Sequence, residues 1–365
     1  MDRVGVGIIG CGVISDAYLK AARGFPILDV RAVADIRPDV AEAKARSYGL
    51  TAMSVEALLA DPAIELVVNL TIPVAHVAVS RRAVDAGKHV HSEKPLGVTV
   101  AEARPLIEAA RARGLRIGCA PDTFLGGAHQ TCRLLVDQGA IGTPVAGTAF
   151  FMCPGHERWH PAPAFYYEAG GGPMLDMGPY YITALVNLLG PVKRLAGIAT
   201  RARDSRIILS EPLAGTRMPV AVTTHVAGTL EFHSGATVSI AMSFDVPKHR
   251  HLPIELYGTK AAMLVPDPNK FGGEIMLAQA GVDWEPTATQ HRYADGNYRS
   301  IGAADLAHAL RGKRPHRASG ELAFHVLEVM EAFQTSSDRG THVAIESRPE
   351  RPAMLPTDLA QGMLD

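Results

Sequence analysis

The sequence has no excess of charge of either sign and no long apolar run. Lys and Arg together number 36 and Asp and Glu number 37, which gives a formal net charge of −1. A nucleic-acid-binding surface needs a basic stripe, and this balance of charge argues against one. No apolar stretch approaches the roughly 18–20 residues that span a bilayer. We therefore expect neither a nucleic-acid partner nor a membrane partner.

Cysteine is also scarce. The chain has 4 cysteines that form no CxxC pair: Cys11, Cys119, Cys132 and Cys153. Isolated cysteines of this kind are typical of reduced, mostly buried thiols. An apolar strand follows directly after Met1-Asp2-Arg3, so we expect no signal peptide and a cytoplasmic location. At 365 residues the chain is long enough for two domains.

A glycine turn lies between a predicted strand over residues 4–9 and a predicted helix over residues 16–22. Strand, glycine turn and helix in this order are typical of a dinucleotide pyrophosphate site, because the helix start offers free N–H groups. Gly10 would permit the turn and Gly12 would let the backbone approach the phosphates. Ser15 occupies the third small position. The cofactor contacts predicted here are Gly10, Gly12, Val13 and Ile14.

Asp35 ends the next predicted strand, residues 28–34, and follows Ser15 by 20 residues. This is the position of the acid that binds the adenosine ribose 2′-OH. A carboxylate there repels a 2′-phosphate, so the sequence favours NAD over NADP. Arg37 argues for NADP instead, because a guanidinium could pair with a 2′-phosphate. A glycine turn in some other α/β protein remains the alternative.

Strands and helices alternate as far as Cys119, which predicts a doubly wound parallel sheet. Beyond it, strands follow one another at residues 193–200, 220–232, 237–244, 254–257 and 262–265. Consecutive strands without helices between them predict a second α/β domain with a large, mainly antiparallel open sheet. We place the dinucleotide-binding domain at residues 1–121 and the substrate-binding and oligomerisation domain at residues 122–365.

Five motifs together resemble the Gfo/Idh/MocA family of sugar and polyol dehydrogenases. They are Gly10-Cys11-Gly12, Asp35, Thr71-x-Pro73-x-x-His76, Glu93-Lys94-Pro95 and the segment Gly170-Gly171-Gly172-Pro173-Met174-Leu175-Asp176-Met177-Gly178. The resemblance covers nearly the whole chain. It implies a Rossmann domain, then an α/β domain, with the active site between them. It also implies further cofactor contacts at Thr71, Pro73, His76, Glu93 and Lys94.

One position departs from the common family pattern. Many members carry His four residues after the Asp of the last motif, which is Asp176 here, and in this chain that residue is Tyr180. Some members, including glucose–fructose oxidoreductase and the dihydrodiol and xylose dehydrogenases, resemble this chain in having Tyr. The departure puts the identity of the acid/base in doubt and leaves the class of reaction unchanged.

Oxidation of an alcohol needs a group that takes the hydroxyl proton. We expect Lys94 in this role, with a pKa lowered by a closed cleft and a cationic nicotinamide. Tyr180 is the rival base, since a neighbouring Lys94 would favour its phenolate. Asp176 shares a helix face with Tyr180 and would orient substrate hydroxyls or Lys94. Alternatively, Lys94 merely binds a hydroxyl and Tyr180 is an ordinary core tyrosine.

The segment His156-x-x-x-His160 has the spacing of a helical metal site, but prolines surround it. We predict no metal. We expect instead a loop over the cleft in which Trp159 and His160 contact the substrate, since an aromatic ring stacks on the C–H face of a pyranose. A structural Trp159 is the alternative. Asp122, next to the predicted domain boundary, is a further expected substrate contact.

The sequence thus predicts an NAD-dependent dehydrogenase of a cyclic sugar, sugar derivative or cyclitol. A dihydrodiol-type or imine-reducing oxidoreductase is one alternative, and a non-enzymatic sensor of NAD or sugar is another. The joint presence of Lys94 and Asp176 favours an enzyme, because a pure binder need not keep a proton-transfer pair. We expect a homo-oligomer, a dimer or tetramer, formed through the C-terminal sheet.

Overall fold

A computed structural model describes residues 2–365 of the chain. Six strands form the first sheet: β1 (Val4–Ile9), β2 (Leu28–Ala34), β3 (Thr51–Ala52), β4 (Leu66–Asn69), β5 (His89–Ser92) and β6 (Ile117–Cys119). All pair in parallel, in the order β3-β2-β1-β4-β5-β6. The strand order reverses between β1 and β4, and ligands bind at the carboxyl ends beside such a reversal.

Helices alternate with these strands: α1 (Val13–Ala22), α2 (Pro38–Tyr48), α3 (Val55–Ala60), α4 (His76–Asp85) and α5 (Val100–Ala112). Side chains fix some of the starts. Ser54 accepts from the Ala57 N–H at the start of α3, and Thr99 forms a reciprocal cap with Glu102 at the start of α5. The predicted doubly wound parallel sheet is confirmed. The first helix begins at Val13, three residues earlier than predicted.

The second sheet has nine strands: β7 (Pro144–Met152), β8 (Val192–Thr200), β11 (His225–Phe232), β12 (Thr237–Ser243), β13 (Ile254–Gly258), β14 (Ala261–Val265), β15 (Ile275–Gln279), β16 (Glu285–Thr287) and β17 (Val343–Ala344). A separate two-stranded ribbon pairs β9 (Ser205–Ile207) with β10 (Arg217–Pro219). The order in the large sheet is β16-β15-β14-β13-β7-β12-β11-β8-β17. Its pairings are antiparallel except for β12 with β7, as the sequence predicts.

The remaining helices are α6 (Gly127–Asp137), α7 (Pro173–Leu189), α8 (Ile301–Gly312) and α9 (Gly320–Arg339). Almost every residue of α7 is buried, because this helix lies between α6, α9 and the large sheet. The last two helices also return to the first sheet, where α8 packs on α1, β5 and β6. None of the helices within residues 2–365 is long and apolar enough to cross a membrane.

One predicted strand is too long. Residues 220–232 were expected to be continuous, but β11 begins only at His225. The segment before it bonds to loops instead of the sheet, because Val220 N–H donates to Asp204 and Ala221 N–H donates to Tyr167. The short strands β9, β10, β15, β16 and β17 were not predicted. They lack the long alternating patterns that mark the central strands.

Candidate active site

The glycine turn after β1 has the geometry that a dinucleotide site needs. Gly10 has φ +102°, and a Cβ there would lie 2.6 Å from the Leu70 carbonyl. A Cβ on Gly12 would meet nothing within 4 Å, so open space lies beside this backbone. Helix α1 begins without a side-chain cap, which leaves the first N–H groups, those of Val13 and Ile14 included, available to an anion.

Asp35 lies directly beside this turn. One of its carboxylate oxygens accepts from the Cys11 N–H at 2.8 Å and the other accepts from the Arg37 N–H at 2.9 Å. The Arg37 side chain is exposed. A cleft of about 820 Å³ opens here; its lining includes Gly10, Gly12, Asp35, Arg37, Thr71 and Ile72. Its size and its uncapped N–H groups fit a dinucleotide.

His76, a predicted cofactor contact, hydrogen-bonds to the main chain. Its ring is 1% exposed and both nitrogens face backbone carbonyls, that of Pro95 at 2.7 Å and that of Thr71 at 2.9 Å. Burial lowers the pKa of His76, although the two carbonyls oppose this. In this structure neither ring nitrogen is left free for a ligand. The ring instead joins the segment after β4, Thr71 to Pro73, to the segment after β5.

Glu93 fixes the main chain that carries Lys94. Its carboxylate accepts from the Tyr18 hydroxyl at 2.8 Å and from the Lys94 N–H at 2.9 Å. Tyr18 belongs to α1 and is 1% exposed. The helix that follows the glycine turn and the residue predicted to move the proton are thereby held in one rigid unit.

Lys94, which follows β5 of the first sheet, and Asp176, which lies on α7, form an ion pair. The Lys94 Nζ donates to the Asp176 carboxylate at 2.8 Å and to the Asp176 carbonyl at 2.7 Å. Burial alone would lower the pKa of Lys94, but Asp176 together with Tyr180 and Glu93 outweighs burial, and the pKa is raised. The predicted lowering is therefore wrong for the chain without cofactor. The sequence analysis placed Asp176 near Lys94, but it did not consider that a carboxylate at ion-pair distance raises the pKa of a lysine.

Tyr180 lies beneath this pair, four residues along α7 from Asp176. The Lys94 Nζ lies 5.2 Å from the centre of the Tyr180 ring. The side chain is 7% exposed, and burial raises its pKa although the charges of Lys94 and Arg299 oppose this. The phenol is consequently neutral, and the expected stabilisation of a phenolate by Lys94 is not sufficient. Sequence reasoning missed Arg299, whose contact with Tyr180 depends on how α8 returns to the first sheet.

A second residue that sequence reasoning missed is His156. Its Nε2 lies 3.0 Å from the second Asp176 oxygen, and its Nδ1 accepts from the Trp159 indole N–H at 3.1 Å. Burial would raise the pKa of Asp176, but Lys94 and His156 together lower it to about 2. Asp176 therefore carries a full negative charge at neutral pH.

Trp159 and His160 lie on the loop that follows β7. The Trp159 side chain is 61% exposed, while the His160 Nδ1 accepts from the Ala162 N–H at 3.1 Å. The two rings lie 5.3 Å apart. The loop is thus joined through His156 to Asp176, and it presents an aromatic face to solvent. Within residues 2–365 no group of three or more metal-ligating side chains lies close enough to hold a metal ion.

Two family models match the chain. Residues 4–120 match the oxidoreductase family with an NAD-binding Rossmann fold, and residues 129–264 match the GFO/IDH/MocA C-terminal domain. The chain belongs to the Gfo/Idh/MocA family. Residues 4–120 are accordingly an NAD-binding Rossmann domain, in agreement with the glycine turn and Asp35.

Relatives in this family include sugar-active enzymes. The chain is 34% identical over 204 residues to a dTDP-3,4-didehydro-2,6-dideoxy-alpha-D-glucose 3-reductase of Streptomyces violaceoruber, covering 54% of this chain and 57% of that protein. It is 30% identical over 195 residues to a trans-1,2-dihydrobenzene-1,2-diol dehydrogenase of Macaca fuscata fuscata, covering 51% and 56%. The match thus spans little more than half the length of these relatives.

Solved structures agree with the fold. A levoglucosan dehydrogenase in complex with NADH and L-sorbose superimposes with a TM-score of 0.83 at 20% identity, covering 95% of this chain and all of that one. At this identity the likeness concerns the fold alone.

Asp122, an expected substrate contact, hydrogen-bonds to the main chain. It is 1% exposed, and one carboxylate oxygen accepts from the N–H groups of Ser300 at 3.2 Å and Gly302 at 3.0 Å. The residue therefore caps the start of α8 in this structure. Burial raises its pKa to about 6. The sequence could not reveal this cap, because α8 lies almost 180 residues further along the chain.

Proposed function

We propose that the protein transfers a hydride between NAD and a ring carbon of a sugar, sugar derivative or cyclitol, with Lys94 moving the accompanying proton. The observation that carries this proposal is the contact of the Lys94 ammonium with Asp176, at 2.8 Å, above the Tyr180 ring. The sugar-active relative supports the substrate class.

The dinucleotide would lie along the open glycine turn. Gly12 leaves room beside the backbone, the N–H groups of Val13 and Ile14 would bind the pyrophosphate, and Asp35 would bind the adenosine ribose. When bound, NAD supplies the hydride acceptor or donor. Thr71 and Glu93, at the ends of β4 and β5, border the same edge of the sheet.

Lys94 is suited to give a proton to an oxygen that gains negative charge. An ammonium has three N–H donors, and two are used by the Asp176 carbonyl and carboxylate. The third is left for a substrate oxygen. Since Asp176 raises the pKa of Lys94, the charged form dominates and favours reduction of a carbonyl. For oxidation of the alcohol, Lys94 must first lose its proton.

The aromatic loop would hold the sugar ring against this pair. Trp159 is 61% exposed, an arrangement in which an indole can stack on the C–H face of a pyranose. His160 borders it at 5.3 Å between ring centres. Tyr180 supports Lys94 from below, as a neutral phenol that could donate to a substrate hydroxyl.

The same proposal includes a domain boundary between residues 121 and 122. It also includes the association of like subunits into a homo-oligomer. A Cβ on Gly197 would meet Phe333 of α9, so its neighbour Ile198 points to the opposite face of the sheet. Ile198 is 66% exposed there, which supports a dimer or tetramer formed through this face. Four unpaired cysteines support a cytoplasmic location.

The experiment is a substrate screen run in both directions, with pyranoses, glycosides, inositols and a trans-dihydrodiol beside NAD, and keto sugars beside NADH. Turnover of a sugar by the wild type, lost in K94M, is the expected result. Turnover of a trans-dihydrodiol alone would support the second candidate, which the Macaca relative favours. Tight NAD binding without turnover of any compound would contradict an enzyme and indicate a sensor.

A further inference from the structure

His156 lies between the two parts of the site that the proposed function requires. Its ring is on the loop after β7 and is 8% exposed. Nε2 lies 3.0 Å from Asp176 Oδ2, and Nδ1 lies 3.1 Å from the Trp159 Nε1. The other Asp176 oxygen holds Lys94. A continuous chain of hydrogen bonds therefore runs from Trp159 to the Lys94 ammonium.

The chemistry of the partners defines the proton on His156. An indole N–H can only donate, so Nδ1 must be the unprotonated acceptor. Nε2 then carries the hydrogen and donates it to the Asp176 carboxylate. One neutral tautomer satisfies both bonds. Addition of a proton at Nδ1 would place two N–H groups face to face and would break the bond to Trp159.

The surroundings hold the ring in this orientation. The His156 ring lies 4.4 Å from Tyr166 and 4.5 Å from Phe244, between ring centres. The backbone N–H of His156 donates to the Tyr167 hydroxyl at 3.2 Å. The same turn is anchored by an ion pair of 2.6 Å between Glu157 and Arg206, both almost fully buried. These contacts pack the ring between two aromatic side chains and anchor its main chain.

We propose that His156 is a positioning residue that couples the aromatic face at Trp159 to the Asp176–Lys94 pair. Nδ1 orients the indole against which the substrate lies, and Nε2–H orients the carboxylate that holds Lys94. This inference rests on the proposed function. It predicts that the two ring nitrogens affect different kinetic constants, Nδ1 the KM and Nε2 the kcat.

Two amide variants separate the nitrogens. In H156Q the amide nitrogen can reach the Nε2 position and donate to Asp176, while the acceptor for Trp159 is lost. In H156N the amide oxygen can occupy the Nδ1 position and accept from Trp159, while the donor to Asp176 is lost. We expect H156Q to raise KM about tenfold at nearly unchanged kcat, and H156N to lower kcat about tenfold at nearly unchanged KM.

W159F tests the same coupling from the other end, because it removes the indole N–H while it keeps a smaller aromatic ring at this position. It should raise KM as H156Q does, and the double variant should be no worse than either single one. Equal losses of kcat and KM in both H156Q and H156N, or additive effects in the double variant, would overturn the proposal and reduce His156 to a structural residue.

A measurement without turnover distinguishes this proposal from the proposed function. The chain has 2 tryptophans, so in a W284F background the fluorescence reports on Trp159 alone. H156Q should change the emission maximum and H156N should leave it near that of W284F. Equal changes in both variants would contradict the assigned acceptor, whether or not any sugar is turned over. If the fluorescence agrees but no sugar is turned over, the proposed function fails and the contact of His156 with Trp159 stands.

Discussion

The candidate site has two sides, a cofactor side and a proton-transfer side, which are built from different kinds of chemical group. On the cofactor side, backbone groups form the site: a glycine at φ +102°, the uncapped N–H groups of α1 and one carboxylate that accepts from backbone N–H groups. On the proton-transfer side, side chains form it: Lys94, Asp176, His156 and Tyr180, with the opposite charges of Lys94 and Asp176 paired among them. The cofactor side depends on the conformation of the main chain. On the proton-transfer side, the protonation states of the side chains depend on a balance between burial and charge.

Lys94→Met should have the largest effect and should divide the two sides most clearly. A residue that transfers a proton contributes about 10²–10⁴-fold, so we expect a loss of kcat in this range. Because Lys94 contributes its side chain only to the Asp176 side, NAD affinity should hardly change. Steady-state kinetics and NAD titration check this. A loss of NAD binding as large as the loss of kcat would mean that the two sides are not separate. Tyr180→Phe is the matched control, with an expected loss of about tenfold.

The cofactor side is also where the sequence predicts best. Gly10, Asp35 and the alternation of strands and helices follow from short local patterns, because a turn and the two elements beside it are encoded within about 30 residues. On the other side, the sequence identifies Lys94, Asp176 and Tyr180 but misses His156 and Arg299. These two reach the site through a proline-rich loop and through the return of α8, and no local pattern encodes either approach.

Asp35→Ser tests the cofactor side, where the Asp35 carboxylate is expected to decide between NAD and NADP. The carboxylate accepts from the Cys11 and Arg37 N–H groups, so it is held where a ribose diol would bind. Loss of hydrogen bonds to a charged acceptor is worth about 1.5–3 kcal/mol, and we expect the NAD preference to narrow by about tenfold or more. Titration of both dinucleotides measures this. Tighter binding of NADP by the wild type would show that Arg37, and not Asp35, decides the choice.

Asp122→Asn should give the smallest effect and concerns a charge that belongs to neither side. Burial raises the pKa of Asp122 to about 6, so the folded chain binds this proton more tightly than the unfolded chain, where the pKa is about 3.9. The wild type should therefore lose stability as pH rises from about 4 through about 6. Asn keeps an oxygen for the N–H groups at the start of α8 without that loss.

We expect D122N to gain about 1–2 kcal/mol at neutral pH relative to the wild type. The gain is smaller than full relief of the buried charge, because a neutral amide oxygen is a weaker acceptor than a carboxylate. Thermal unfolding of both proteins at acid and neutral pH measures the difference. If D122N is less stable than the wild type at neutral pH, the hydrogen bonds to the charged carboxylate stabilise the fold by more than burial of the charge destabilises it.

The same balance explains why the pKa of Lys94 could not be predicted from sequence. A buried lysine beside a cationic ring should have a lowered pKa, and burial does act on Lys94 in this direction. The sign changes because the Asp176 carboxylate lies 2.8 Å away and is itself held charged by His156. Only the distances decide which contribution wins.

The central claim is that Asp176 keeps Lys94 protonated, and the pH dependence of carbonyl reduction tests it most directly. The acid form of Lys94 is the active one, so the rate should fall as pH rises through its pKa. Because the charge of Asp176 raises that pKa against burial, the wild-type rate should stay level through neutral and mildly alkaline pH, and in D176N the fall should move to lower pH. An alkaline limb at the same pH in both proteins, or one moved to higher pH in D176N, would contradict the account.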